Sequence, residues 1–499
     1  MRQFAVPPTM IDAATARRGV GDWAGACAAA HVDTDIDLRA LARKHGRELA
    51  ARVRTDLRYL APDLLRWHLP RVAPDGLLRP GLTLALARYA SETSRDREGF
   101  VHLVVRTAPA WADAGQRISL AVWDGSDAAP SLHPHPRPNR RYRLDLHRHL
   151  WDARRAGELA MRCGASPGGT GDPGVAARFV AGVTSPADRG LIETVPTNCA
   201  VEQWAAEAVR LLRAEQRPMT SHAEKASPQP VSAGAARASS QRVLVRFGAR
   251  RHVVLEVEPA PTASGEPAPG WGPVVRIVTD HPRGRLTALP ILPDAATWTL
   301  PDLDLLRAGA ITADRLHPLV AEALVPMADR SPTRTRTSPP RTHLVECRGE
   351  THRIGLVNGT LSALDHDPAE VEREELLVAL TGVALPCLRV IDAAHRRPDW
   401  IDGVRERLDH GDTAGALTVV EDLLGPGAVL RDGPLRDAID RAARRRITYG
   451  LYRSEIFAGL GKDAPRTLAD RLQRAGLRHG RDRKLLQRLA RHDNRHVLS

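Results

Sequence analysis

The sequence is short of aromatic residues, of lysine and of long apolar runs, and each shortage removes a class of function. Trp, Tyr and Phe make up 4% of the 499 residues. That is too few for the stacking platforms on which single-stranded nucleic acid is held. The only lysines are Lys44, Lys225, Lys462 and Lys484, so the basic charge is almost all arginine. With so much Ala, Gly and Pro, this bias matches GC-rich coding, and codon usage accounts for part of it. No stretch approaches about 18 uninterrupted apolar residues, the length a membrane helix needs. The five cysteines (Cys27, Cys163, Cys199, Cys347, Cys387) are widely spaced, odd in number and without C-x-x-C spacing. They indicate neither a disulfide scaffold nor a zinc ribbon and suit a reducing interior. The segment Met1–Pro8 has no apolar signal core, and Arg17, Arg18 and Asp22 stand where one would precede Cys27. The expectation is a cytoplasmic protein without a membrane segment.

Positive charge is present in excess, and it is unevenly placed. The formal net charge is +13, and the stretch from Arg436 to Ser499 holds 17 Lys/Arg against 7 Asp/Glu. Near its end, Arg471, Arg474 and Arg478, then Arg481, Arg483, Lys484, Arg488 and Arg491, recur at helical spacing opposite Leu468, Leu472, Leu485, Leu486 and Leu489. The break Gly476–Gly480 between the two segments has the layout of a helix-turn-helix, without its diagnostic turn chemistry. The plain account is a solvated helix face. The functional account is a surface for an anionic partner, either an acidic protein or nucleic acid.

At 42% hydrophobic and 26% charged, the composition is globular, and the length allows two to four domains. Residues 1–99 read as a helical N-terminal region. Asp37 is placed to cap one long amphipathic helix carrying Leu38, Leu41, Leu49, Val53, Leu57 and Leu60. Over 100–216 the period changes to two. Val101/Leu103/Val105, Ile118/Leu120/Val122 and Tyr142/Leu144/Leu146 predict three half-buried strands, followed by helices near 148–162 and 199–216. A polar linker spans 217–240 and a shorter one spans 331–341. Modules at 241–330 and 342–400 follow them, then a helical region at 401–464 and a basic helical C-terminus at 465–499. The predicted class is α+β and multi-domain, with antiparallel β-meanders packed against helices.

The two modules share a pattern. Residues 243–257 (VLVRFGARRHVVLEV) match 343–357 (HLVECRGETHRIGLV) without gaps at Leu244/Leu344, Val245/Val345, His252/His352 and Val257/Val357. This reads as a duplicated meander followed by two helices. In the second copy, Asn358–Gly359 signals a hairpin turn. One face there gathers His343, Val345, Cys347, His352, Ile354, Leu356, Leu361 and Ala363, and Asp367 caps the helix that follows. A second echo joins the ends of the chain. Gly21-Asp-Trp-Ala-Gly-Ala and Gly411-Asp-Thr-Ala-Gly-Ala both read as the start of the second helix of a helical hairpin.

Candidate chemistry is sparse. His133, His135, His147 and His149 form two H-x-H pairs, and two imidazoles on one strand face can hold zinc, with Asp145 as a direct or outer ligand. The alternative is a Pro/His/Arg loop before a polar helix start. Cys347 and His352 across a hairpin are a thiol and a base, or simply small core residues. Gly169–Gly174 spells G-x-G-x-x-G without the preceding strand that a dinucleotide fold needs. Gly459-Leu-Gly461-Lys462 lacks the flanking residues of a P-loop. Asp33-Thr-Asp35-Ile-Asp37 has Leu38 in place of a calcium loop's glycine. No H-E-x-x-H, G-x-S-x-G or paired-carboxylate signature is present, which weighs against a catalytic role. The reading is a non-enzymatic scaffold or adaptor with a protein partner, its arginine-rich end engaging something anionic. No cofactor is expected in that reading. The rivals are a zinc enzyme at the four histidines and a nucleic-acid-binding regulator.

Overall fold

The computed structural model describes residues 2–165, 195–216, 241–325, 343–391 and 403–453, with short gaps inside these stretches, and the strand Arg178–Phe179. The linkers at 217–240 and 331–341, the Asn358–Gly359 turn, the glycine loops at 169–174 and 459–462, and arginines 471–491 lie outside the described residues. The class is α+β.

The N-terminal region is helical but not wholly so. Helices α1 (Arg2–Ala5), α2 (Pro8–Gly19) and α3 (Trp23–Ala29) lead into a strand, β1 (Val32–Asp35). Asp37 then caps α4 (Leu38–His45), accepting from the amides of Arg39 and Ala40 at 2.8 and 3.0 Å. The single long helix expected here is two. Gly46 sits at φ +91°, a conformation other residues rarely adopt, and α5 (Arg47–Tyr59) starts afresh beyond it. Helix α6 (Pro62–His68) follows with proline at its first position.

These helices cover one face of a four-stranded sheet. Its order is β1, β4 (Ile118–Trp123), β3 (Phe100–Thr107) and β2 (Thr83–Ala90). The pairings β2–β3 and β3–β4 are antiparallel, while β1 runs parallel to β4, with Val32 opposite Ile118. The sheet is therefore mixed, not a pure meander. Leu84, Leu103, Val105, Ile118 and Leu120 join Val53, Leu57, Leu64, Leu65 and Trp151 in the main core. The strand expected at 142–146 is instead a tight 3-10 turn, Leu144–Leu146, touching the sheet by one bridge from Arg143 to Ala85.

A second core forms where α7 (Val201–Gln216) packs on β5 (Gln241–Arg246), β6 (His252–Glu258) and β7 (Val274–Val278). Trp204 and Phe247 stack there with centroids 6.5 Å apart. The third sheet is β8 (His343–Cys347), β9 (Glu350–Val357) and β10 (Thr360–Ala363). Both modules thus contain a three-stranded antiparallel meander. However, Val245 pairs with Val253 while Val345 pairs with His352. The hairpin register differs by one residue, so the ungapped match does not carry through the turn. The helices that follow the first meander, α8 (Pro301–Arg307) and α9 (Pro318–Leu324), send Leu306, Leu319 and Val320 to the N-terminal core rather than to their own sheet.

The second echo holds in detail. After α10 (Val404–Asp409), Asp412 caps α11 (Thr413–Leu424), just as Asp22 caps α3: the amides of Gly415 and Gly25 donate to these carboxylates at 2.9 and 2.8 Å. Arg407 and Arg17, each five residues earlier, bind the same carboxylates at 2.7 and 3.1 Å. A Cβ on Gly25 or Gly415 would come within 2.1 or 2.3 Å of the other carboxylate oxygen, the one its arginine binds, so the glycine is required by the cap.

The C-terminal helices return to the N-terminal body. Arg66 on α6 is fully buried and donates to the carbonyls of Ala5 at 2.8 Å, Gln116, and His410 at 3.3 Å. Helix α12 (Pro434–Arg453) lays Tyr449 and Tyr452 against Ala112 and Trp111. Tyr449 donates to Asp33, and Arg453 pairs with Asp35. Arg445 is matched by Asp409 at 3.2 Å. Part of the C-terminal charge excess is thus neutralised inside the molecule.

Two substitutions test this frame. Arg66→Leu leaves three buried carbonyls short of a donor and is expected to cost about 3 kcal/mol or more in urea unfolding; a loss under about 0.5 kcal/mol, typical of surface changes, would refute the role given to Arg66. Gly415→Ala displaces the Asp412 cap and is expected to cost about 1 kcal/mol, with Gly19→Ala, which meets nothing, as the neutral control.

Candidate functional site

Across the sheet from the main core lies a polar row. Arg88 on β2, His102 on β3 and Trp123 on β4 are paired across three strands and therefore share one face. The segment 137–143 and the first module close over this row. Arg141 makes a two-pronged bond to Asp294 at 2.9 and 3.0 Å, and Arg140 donates to the carbonyls of Thr287 and Leu289. Between these parts is a cavity of about 260 Å³, lined among others by Arg88, His102, Trp123, Arg137, Arg140 and Arg143.

The charges around this cleft do not cancel. Glu215 accepts from Arg143 at 2.6 Å and from Arg88 at 3.2 Å. Burial pushes its pKa up, but these two guanidiniums pull it below the usual carboxylate value. Arg143 is also held two-pronged by Asp145 at 2.8 Å. Arg137 is exposed, and neither Arg137 nor Arg140 has an ion pair among the described residues. His102 is buried against Trp123, with ring centroids 5.3 Å apart and Asp96 at 3.4 Å. Burial lowers its pKa to about 4, although Asp96 opposes that, so the ring is neutral at pH 7. The cleft therefore offers two uncompensated guanidiniums, an aromatic wall and a neutral imidazole.

The four histidines singled out as a zinc set do not converge. Among the described residues, no three of them come within reach of one ion. His133 is buried with both nitrogens engaged: Nε2 donates to the Thr107 carbonyl at 3.0 Å and Nδ1 accepts from the His135 amide at 3.2 Å. His147 and His149 lie on 3-10 turns, not on a strand, with rings 5.7 Å apart. Arg162 donates to His147 Nδ1 at 3.1 Å. The nearby carboxylate is Glu207, 3.9 Å from His147 Nε2 and itself held by Arg162 and Arg210; Asp145 turns instead to Arg143. His133, His147 and His149 are buried in the packed interior, while His135 is exposed. The Asp33–Asp37 run is likewise structural, being β1 and the cap of α4.

A different cluster occupies the second module. Cys347 at the end of β8, His366 after β10 and Cys387 on a later helical segment place one ligand atom each within 4.8 Å of one another. Cys347 does not face His352 directly: it pairs with Glu350, and His352 pairs with Val345. His352 stacks on His366 with centroids 4.2 Å apart. Burial, and then Cys347, pushes the Cys387 thiol up to about 11. Separations of 19 and 21 residues in sequence match no compact motif, and this hid the set from sequence reading. The available signal was two cysteines and four histidines within one small module.

Comparison with protein-family models, with curated proteins and with solved structures finds no match to the chain.

The buried imidazoles have a consequence for acid stability. Burial lowers His31, His102, His133 and His147 from the ordinary 6.5 to about 4. Such groups favour the folded state above the unfolded value, and this contribution is lost as pH falls through the window from 6.5 to about 4. The urea midpoint is expected to drop across that window and His133→Gln to shallow the drop; a midpoint independent of pH there would mean that the rings titrate normally.

Proposed function

We propose that the chain is a non-enzymatic binding protein, a scaffold or adaptor, that receives an anionic group of a protein partner in the arginine-lined cleft. The observation that carries this reading is the pair Arg137 and Arg140, which stand beside the cavity without a carboxylate partner among the described residues. A guanidinium not neutralised from within its own fold gains most from a bidentate carboxylate or phosphoryl group. The neutral His102 and the face of Trp123 complete a pocket that favours a compact anion over a bulky one. Arginines 471, 474, 478, 481, 483, 488 and 491 with Lys484 add long-range attraction for the same partner. Among the described residues the cleft presents no nucleophile held by a base and no metal-ligand set, and turnover is not part of the reading. The expected setting is the cytoplasm; among the described residues no helix is long and apolar enough to cross a membrane.

The test is titration calorimetry with pyrophosphate and with a polyglutamate peptide. Arg137→Glu with Arg140→Glu is expected to weaken binding about tenfold or more, the scale of one lost charged contact. Removing residues 465–499 is expected to slow association and to flatten the salt dependence while leaving the short anion bound. Binding untouched by the double substitution would sink the cleft as the site. Strong duplex-DNA binding with a steep salt slope, lost on that truncation, would favour a nucleic-acid regulator instead.

A further inference from the structure

We infer that Cys347, Cys387 and His366 form a zinc site that locks the second module, with His352 as the fourth ligand. Three lines of geometry converge on it. The first is the donor set: two sulfurs and one imidazole within 4.8 Å are a soft combination that selects zinc over hard cations such as calcium or magnesium. The second is burial with unmet bonding. Cys347 and Cys387 are 1% and 0% exposed, and the His366 side chain is 5% exposed. His366 Nε2 and His352 Nδ1 are buried with no hydrogen-bond partner. A buried ring nitrogen left without a partner is costly, and two such atoms stacked beside two thiols are what a metal would satisfy. The third is support for the ligand. Glu370 lies 3.8 Å from His366 Nδ1, on the side of the ring away from the unpartnered Nε2. A carboxylate on the far nitrogen is the usual outer partner of a zinc-bound histidine.

The chain arrangement explains what the ion would do. Cys347 ends one strand, His366 follows the last strand of the same sheet, and Cys387 comes from a helix. Among the described residues, Val345 and Leu385 are the apolar neighbours of the two cysteines in the core they share. An ion held by Cys347, His366 and Cys387 would cross-link strand, loop and helix, so that binding adds to the stability of the module. Binding replaces two S–H bonds with two Zn–S bonds and releases two protons to solvent, with no change of oxidation state. His352 lies outside the 4.8 Å group, so its ring turns from the stack on His366 to complete the tetrahedron. The inference stands apart from the anion-binding cleft, which uses none of these residues.

The full-length protein, produced with added zinc and purified without chelator under reducing conditions, is expected to retain about one zinc per chain by elemental analysis. Cys347→Ser with Cys387→Ser is expected to retain less than about a tenth of that, while Cys163→Ser keeps it. The wild-type chain gives a second readout that does not depend on a variant folding. Cobalt(II) loaded in place of zinc is expected to show sulfur-to-metal charge transfer and the strong visible absorption of a tetrahedral site. Cys347 and Cys387 are expected to resist alkylation until a chelator is added. Three outcomes would overturn the inference: metal-free protein from zinc-rich medium, zinc undiminished in the double variant, or a Cys347–Cys387 disulfide recovered in place of metal.

Discussion

The Arg66 guanidinium sets the relation between the two ends of the chain. A fully buried cation must find fixed acceptors for its donors, because an unmet one costs more than the bond returns. Its acceptors include carbonyls of residues 5, 116 and 410. Those come from the first helix, from the approach to β4, and from the turn between α10 and α11. Each carbonyl has one place it can stand, so the three segments are registered against α6 together. The C-terminal helical hairpin therefore belongs to the N-terminal body despite the sequence distance. The neighbouring Asp63 acts in the same way on α6, accepting from His317 at 3.0 Å and drawing α9 onto the first core.

Where local chemistry decides structure, the residues could be read directly. Asp37, Asp367 and the two Gly-Asp hairpins are caps with named donors, and the strands around Leu103 and Leu120 alternate cleanly because one face is apolar and the other carries His102, Ser119 and Trp123. The strand Thr83–Ala90 was not legible. It is buried on nearly its whole length, and a bulge between Ala85 and Ala87 shifts the phase of its side chains. Period two is lost, and Leu-Ala-Leu-Ala-Arg looks helical. Conversely, Tyr142, Leu144 and Leu146 alternate by accident of a 3-10 turn. β1 was missed because four residues carrying two aspartates have no strand signature; its place is secured by β4 and by Arg117 and Arg453 from outside.

The candidate sites follow the same division. H-x-H pairs are conspicuous in a sequence, yet the rings of His133 and His147 are engaged by a local carbonyl, amide or guanidinium, and among the described residues no third ligand joins His147 and His149. The cleft and the Cys/His set depend on residues from distant segments, and no spacing rule joins them. Charge was also misleading when summed over a segment. Of the basic residues after Arg436, Arg445 and Arg453 serve as internal anchors, whereas Arg137 and Arg140, in the nearly balanced stretch that precedes it, have no carboxylate partner among the described residues. Net charge locates an excess; only pairing shows which members of it are available.

The seating of α12 on β1 also bears on self-association. Within the first sheet β1 is a terminal strand, hydrogen-bonded to β4 along one side. An open strand edge invites pairing with another chain. Here Tyr449 and Arg453 occupy the carboxylates of Asp33 and Asp35, and the helix stands guard over that flank. A protein ending before Pro434 would keep its sheet but lose the guard. It would offer neighbouring molecules a ready template for strand addition, so the C-terminal helix protects against aggregation as well as adding to the fold.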